Sequence, residues 1–272
     1  MTAVNEVLTK EGIWRSLEDL DDYLSGDSMN KPTAHFSPQA YARIGGVLYL
    51  IIIAAGLFAE AFVRERLVVP ADAATTATNI MAHGFLLRLG IAADLTTFLC
   101  AVALTMILYV LLKPVNKNLA LLMVFFNLVQ DAVGGVNALN TYRPLQLLGG
   151  ADYLKVFTPE QLQAMALLSL KAHAVGFGVA LMFFSFSCLA LGYLTFTSGF
   201  LPKALGMLMA IAGACYLINS FALILSPMLA GVLFPSILLP AFVGELSFAL
   251  WLTVKGVNVP KWEGTASAWR AN

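Results

Sequence analysis

Charge is what this 272-residue chain has least of. Asp, Glu, Lys and Arg make up 12% of it, about half the share usual in soluble domains, roughly a quarter. That shortage excludes an ordinary soluble globule. Sixteen basic residues balance sixteen acidic ones, so nothing points to a nucleic-acid partner or to polybasic attachment to anionic lipid. Cysteine is scarce as well. Cys100, Cys188 and Cys215 each fall in an apolar stretch, without CxxC spacing or a nearby His, and read as packing residues rather than a metal or redox centre. Residues 1 to 40 lack the basic start and apolar core of a secretory signal, so the first membrane helix is expected to serve as its own uncleaved insertion signal. There is no HExxH, Walker loop, dinucleotide fingerprint or Ser/His/Asp elbow. Gly176-Phe177-Gly178 lacks the strand and third glycine of a nucleotide loop and reads as helix packing. No internal repeat or inverted symmetry is visible, which counts against a standard secondary transporter.

Long apolar runs fill the rest. Hydrophobic residues make up 59% of the chain and mean hydropathy is +0.80. A bilayer crossing needs about 20 mainly apolar residues, and that rule picks out 42–63, 84–112, 118–139, 168–197, 203–226 and 232–254. The fold class is therefore all-α: a polytopic integral membrane protein with six transmembrane helices in a domain spanning 37–258. Turn chemistry at Lys113-Pro114-Val115-Asn116-Lys117, at Ser198-Gly199-Phe200-Leu201-Pro202-Lys203 and at Ser226-Pro227 separates them. Pro235 and Pro240 predict an irregular or kinked start to the sixth. Arg43, Lys113, Lys117, Lys203, Lys255, Lys261 and Arg270 fall on one side, whereas Arg64, Arg66, Arg143 and Lys155 fall on the other. Cytoplasmic flanks carry the basic excess, so both termini are expected inside, with a cytoplasmic tail over 259–272.

The two longer outer loops, 64–83 and 140–166, are expected to hold interfacial helices. Thr158-Pro159-Glu160-Gln161 is a helix start, and its continuation is too long for one straight crossing, so a bend is expected near Lys171 to Gly176. The tail, 1–36, carries Ser16-Leu17-Glu18-Asp19, a capping box. Trp14, Leu17, Leu20 and Leu24 recur there at helical spacing opposite acidic residues. An acidic amphipathic helix suits docking on a protein partner better than lying on anionic lipid. A partly ordered tail is the alternative, and Met29 leaves open a shorter translated form.

Ionisable groups inside a membrane are expensive and face the bundle interior. Glu60 and Arg64 lie four apart and are expected to pair. Arg88, Asp94, Asn127, Asp131, His173, Asn219 and Glu245 are expected to gather as an intramembrane polar cluster, open outward and floored by Asp94 and Glu245. Gly244 and Ser247 beside Glu245 would let a neighbouring helix approach. The cluster reads first as a packing network, then as a site for a small or lipidic ligand or an ion, and last as a catalytic centre. His83 and His173 on different spans raise a b-type haem as a further alternative; otherwise no cofactor is indicated.

Several segments carry a family resemblance. Ala42-Arg43-Ile44-Gly45-Gly46-Val47-Leu48-Tyr49-Leu50, Leu67-Val68-Val69-Pro70 and Arg88-Leu89-Gly90-Ile91-Ala92-Ala93-Asp94-Leu95 are followed by Tyr109-Val110-Leu111-Leu112-Lys113-Pro114-Val115-Asn116, Ser198-Gly199-Phe200-Leu201-Pro202-Lys203, Gly244-Glu245-Leu246-Ser247 and Trp251-Leu252-Thr253-Val254-Lys255-Gly256. Over about 40–258 the chain resembles a bacterial multi-pass membrane family known only as a domain of unknown function. The resemblance implies no activity. His83 departs from the pattern, and the tail before Met29 lies outside it. The leading expectation is a protein of the bacterial inner membrane that binds a small or lipidic ligand through the polar cavity. The alternatives are an accessory subunit, docked on other membrane subunits by its tail helix and apolar belt, and a haem or catalytic membrane protein.

Overall fold

Capping and turn residues set most helix starts where the sequence places them. The third expected span, 118–139, runs on to Leu147 and leaves only a 3-10 turn, not a separate interfacial helix, in the second outer loop. In the computed structural model residues 37–271 are described; the tail helix expected around Trp14, Leu17, Leu20 and Leu24 lies outside the described residues. Helix α1, Pro38–Leu57, runs on through a π-helical turn, Phe58–Arg64, and a last α-turn, Glu65–Leu67. Helix α2, Ala73–Ala82, fills the first outer loop and is capped by Asp72, whose side chain accepts from the Thr75 N–H. It leads directly into α3, Gly84–Leu112. The Lys113–Asn116 turn comes next, and the Asn116 side chain accepts from Leu119 N–H to start α4, Lys117–Leu147.

A short 3-10 turn, Asp152–Leu154, precedes α5, Pro159–Thr197. Its start is the expected capping box: Thr158 N–H donates to Gln161 Oε1 at 2.9 Å, and Gln161 N–H donates back to Thr158 Oγ1. No break interrupts the helix at Lys171 to Gly176, where a bend was expected; α5 is one continuous helix. Its 39 residues, at about 1.5 Å each, extend about 58 Å, far beyond a hydrocarbon layer of about 30 Å. Helix α6 is Lys203–Leu225. The expected sixth span, 232–254, starts irregularly: a short helix α7, Pro227–Leu233, precedes it, a break around Pro235 follows, and α8 runs from Leu238 to Val254. A 97° bend then leads to α9, Val259–Ala271.

The described residues are all-helical apart from turns. Among the described residues five helices are long and apolar enough to cross a membrane singly, or six if the bent pair α8–α9 counts as one span. Helices α1, α3, α4, α5, α6 and α8 pack in a closed ring, each against the next and α8 back against α1. Gly244 permits one of these contacts, since a Cβ there would stand 2.8 Å from Leu208 O. The larger core cluster fills one half of the ring, around Tyr49, Leu111, Met123, Leu194, Met209 and Phe248. A smaller one, around Val63, Leu67, Ile80, Leu87 and Leu170, fills the other. Large apolar side chains face outward along the same helices, Leu99 at 75% exposure among them. In water such a surface would drive association; a lipid bilayer is the environment that suits it.

Candidate functional site

The interior polar residues sort into separate groups. In the first, Arg64 at the end of the π turn grips Asp94 of α3 with two bonds, Nη1 to Oδ2 at 2.7 Å and Nη2 to Oδ1 at 3.2 Å. It also holds Glu60 through Nε at 2.6 Å, the pair expected from their spacing. Arg64 and Asp94 side chains are each 12% exposed. Arg88, expected in the cluster, is exposed at the α3 start, so Arg64 serves Asp94 in its place.

The second group lies between α4 and α5. Asn137 Nδ2 donates to the His173 carbonyl at 2.9 Å and stands 3.1 Å from His173 Nδ1, which Thr141 Oγ1 also approaches to 3.0 Å. Asn140 Nδ2 donates to Asn137 Oδ1, and Arg143 Nη1 to Asn140 Oδ1. A polar ladder thus leads from the exposed Arg143 inward to the buried His173. Gly176 makes room for it, because a Cβ there would collide with the Asn137 amide. Arg64, Asp94 and Glu60 lie within electrostatic reach of the same imidazole, so the first two groups are neighbours.

Deeper along the same face of α4, Asn127 Nδ2 donates to Asp131 Oδ2 at 3.2 Å. Asp131 is 7% exposed, and its other oxygen, Oδ1, has no hydrogen-bond partner among the described residues. Ser187 of α5 donates across to Met123 O, one turn before Asn127.

The last group belongs to the other half of the ring. Glu245 of α8, 8% exposed, accepts from Tyr216 of α6 at 2.5 Å and from Tyr49 of α1, and Cys188 of α5 lies within electrostatic reach of the same carboxyl. Tyr49 and Arg64 sit on the same helix, 64 − 49 = 15 residues apart, or roughly 20 Å along its axis. Asp94 and Glu245 therefore do not floor one cavity as expected; they occupy different depths with different partners. Asn219 and Ser220 are buried on α6, and Ser220 Oγ has no partner among the described residues. His83 is exposed at the α2–α3 junction, and among the described residues no contact joins it to His173.

Arg64 as the partner of Asp94, the Asn137–Thr141 bracket on His173 and the tyrosine pair on Glu245 were not legible in the sequence. The α4 set had a signal, since Asn127, Asp131, Gly134, Asn137 and Thr141 recur every three or four residues. The tyrosines had none.

Among known proteins, the chain is similar to an uncharacterized protein of the archaeon Archaeoglobus fulgidus, 30% identical over 156 residues, which is 57% of this chain and 76% of the relative. No solved structure matches. The family model for a domain of unknown function, DUF4386, matches residues 44–256, most of the helical ring with its polar groups, and the chain belongs to that family.

Proposed function

We propose that this chain is a six-crossing protein of the cytoplasmic membrane, with both termini inside, whose α4–α5 face binds a small polar ligand entering from the outer end. The observation that carries this reading is Asp131. A buried carboxyl oxygen without a donor costs about 1–3 kcal/mol or more, and lipid offers no compensating water. Asn127 serves one oxygen only. An amine or hydroxyl group on a ligand would serve the other. The Arg143–Asn140–Asn137–His173 ladder supports a polar approach from the outer end, and it ends at Asn137, 137 − 131 = 6 residues short of Asp131 along α4.

The test is a thermal-shift titration of the purified full chain with ethanolamine, putrescine and glycerol, beside Asp131→Leu and Asp131→Asn variants. A probe that raises the melting temperature of the wild type by several degrees, and that of Asp131→Leu not at all, supports the reading. Equal shifts in wild type and variant, or no shift with any probe, would overturn it. Among the described residues no observation favours the accessory-subunit or haem alternatives over this one.

A further inference from the structure

At the opposite end of the ring from Arg143, a hollow of about 390 Å³ is lined by the α5–α6 turn (Gly199, Phe200, Leu201, Pro202) and by the α8–α9 corner (Trp251, Lys255 to Asn258, Lys261). Its size is in the range of small-ligand pockets. The corner is fixed by backbone-directed bonds. Gln39 of α1 donates to Lys255 O at 2.8 Å and accepts from Val257 N–H at 3.0 Å. Trp251 Nε1 donates to Gly256 O, and Asn258 N–H donates to Phe200 O. Gly256 takes a positive φ of 69°, with its Cα packed so closely on the Gln39 amide that a Cβ would collide with it. The hollow is therefore preorganised rather than a gap between mobile loops.

Its lining contains two lysines and no acidic residue, and among the described residues neither lysine has an ion pair. Phe200, Leu201, Pro202 and Val257 supply apolar wall. The hollow sits where α5 ends, α6 begins and α8 ends, hence at the edge of the hydrocarbon layer. We infer that it is a binding site for the phosphate of an anionic phospholipid, with Lys255 and Lys261 on the phosphate and the apolar wall along the glycerol and first acyl carbons. Charge complementarity and position choose this occupant. A zwitterionic choline headgroup would bring a cation toward the lysines. Free phosphate would leave the apolar wall unused. A net charge of zero for the chain does not conflict, because the site needs only two local cations. The inference is independent of the Asp131 reading, which concerns the middle of the α4–α5 face.

The experiment is native mass spectrometry of the full chain in mild detergent, titrated with phosphatidylglycerol and, separately, with phosphatidylcholine of the same acyl chains. The wild type should bind phosphatidylglycerol preferentially. One lysine near an anionic surface is worth about 1 kcal/mol, roughly five-fold, so the Lys255→Gln/Lys261→Gln pair should weaken binding about 25-fold. Lys117→Gln, an exposed lysine at the same end but outside the hollow, should change it less than two-fold. Inorganic phosphate at millimolar concentration should compete only weakly. Three results overturn the assignment: equal binding of the two lipids, an equal loss in Lys117→Gln, or binding of inorganic phosphate without any preference for phosphatidylglycerol.

Discussion

A carboxyl group inside a bilayer must be given donors, and Asp94, Glu245 and Asp131 meet that demand differently. Asp94 has a bidentate guanidinium, the geometry in which a charge pair is strongest. Glu245 has a phenol hydroxyl, and Asp131 has one amide and an oxygen left over. Removing one member of a buried pair costs about 3–5 kcal/mol, whereas replacing both by apolar groups is close to neutral. Arg64→Leu and Asp94→Leu should therefore each lower stability by about 3 kcal/mol, and the double variant should recover most of it. Unfolding in detergent by thiol-dye fluorescence would measure this, and additive losses would show that the two side chains do not act as a pair. The pairing of Arg64 with Glu60 was legible from four-residue spacing, but its grip on Asp94 was not. The π turn at Phe58–Arg64 takes an extra residue and rotates the rest of the helix by about 100°, one residue's worth of turn, so a regular helical wheel misplaces Arg64.

At the scale of elements, the caps were legible because their chemistry is local: Asn116, Thr158 and Gln161 do what their spacing implies. The broken start of α8 was legible from Pro235 and Pro240. The continuity of α5 through this region was not, since Gly176 in a long helix signals flexibility equally with close approach. The neighbouring helix decides between them: Gly176 faces Asn137, so the missing side chain serves packing. Gly176→Ala should displace the Asn137 amide from His173 and cost about 1–3 kcal/mol, the usual range for overpacking, although alanine favours helix by about 1 kcal/mol. A melting temperature at or above wild type would refute that account. Helix α2 allows a test by pH. The Thr75 hydroxyl and backbone N–H both donate to Asp72 and hold its carboxyl below the ordinary aspartate range. A depressed folded-state value means that the cap's contribution is present above the ordinary value and is lost as pH falls through the depressed one. Amide-exchange protection of α2, corrected for intrinsic rates, should drop across that acidic window in the wild type. Asp72→Ala should show the lower protection at all pH values and no such step.

For the whole molecule, the ring is closed at one end by bonds between segments far apart in sequence. Gln39 ties α1 to the α8–α9 corner, Asn258 ties that corner to the α5–α6 turn, and Trp262 Nε1 donates to Leu111 O at the end of α3 at 2.9 Å. The start of α1, the α3–α4 turn, the α5–α6 turn and α9 must therefore share one face of the membrane, whatever its orientation. These are also the segments that carry Arg43, Lys113, Lys117, Lys203, Lys255 and Lys261. Two separate constraints, tertiary bonding and the basic bias of cytoplasmic flanks, thus assign the same residues to one side. Single cysteines at Lys117, Lys203 and Glu263, in a chain whose three native cysteines are replaced by alanine, should react with a membrane-impermeant maleimide only in inverted vesicles. Cysteines at Thr75 and Asp152 should react only in right-side-out cells. Labelling of Lys117 and Glu263 positions from opposite sides would contradict the bonded end face itself. Labelling of all five with sides exchanged would leave the ring intact and reverse its orientation, placing the Arg143 ladder inward and the lysine hollow outward.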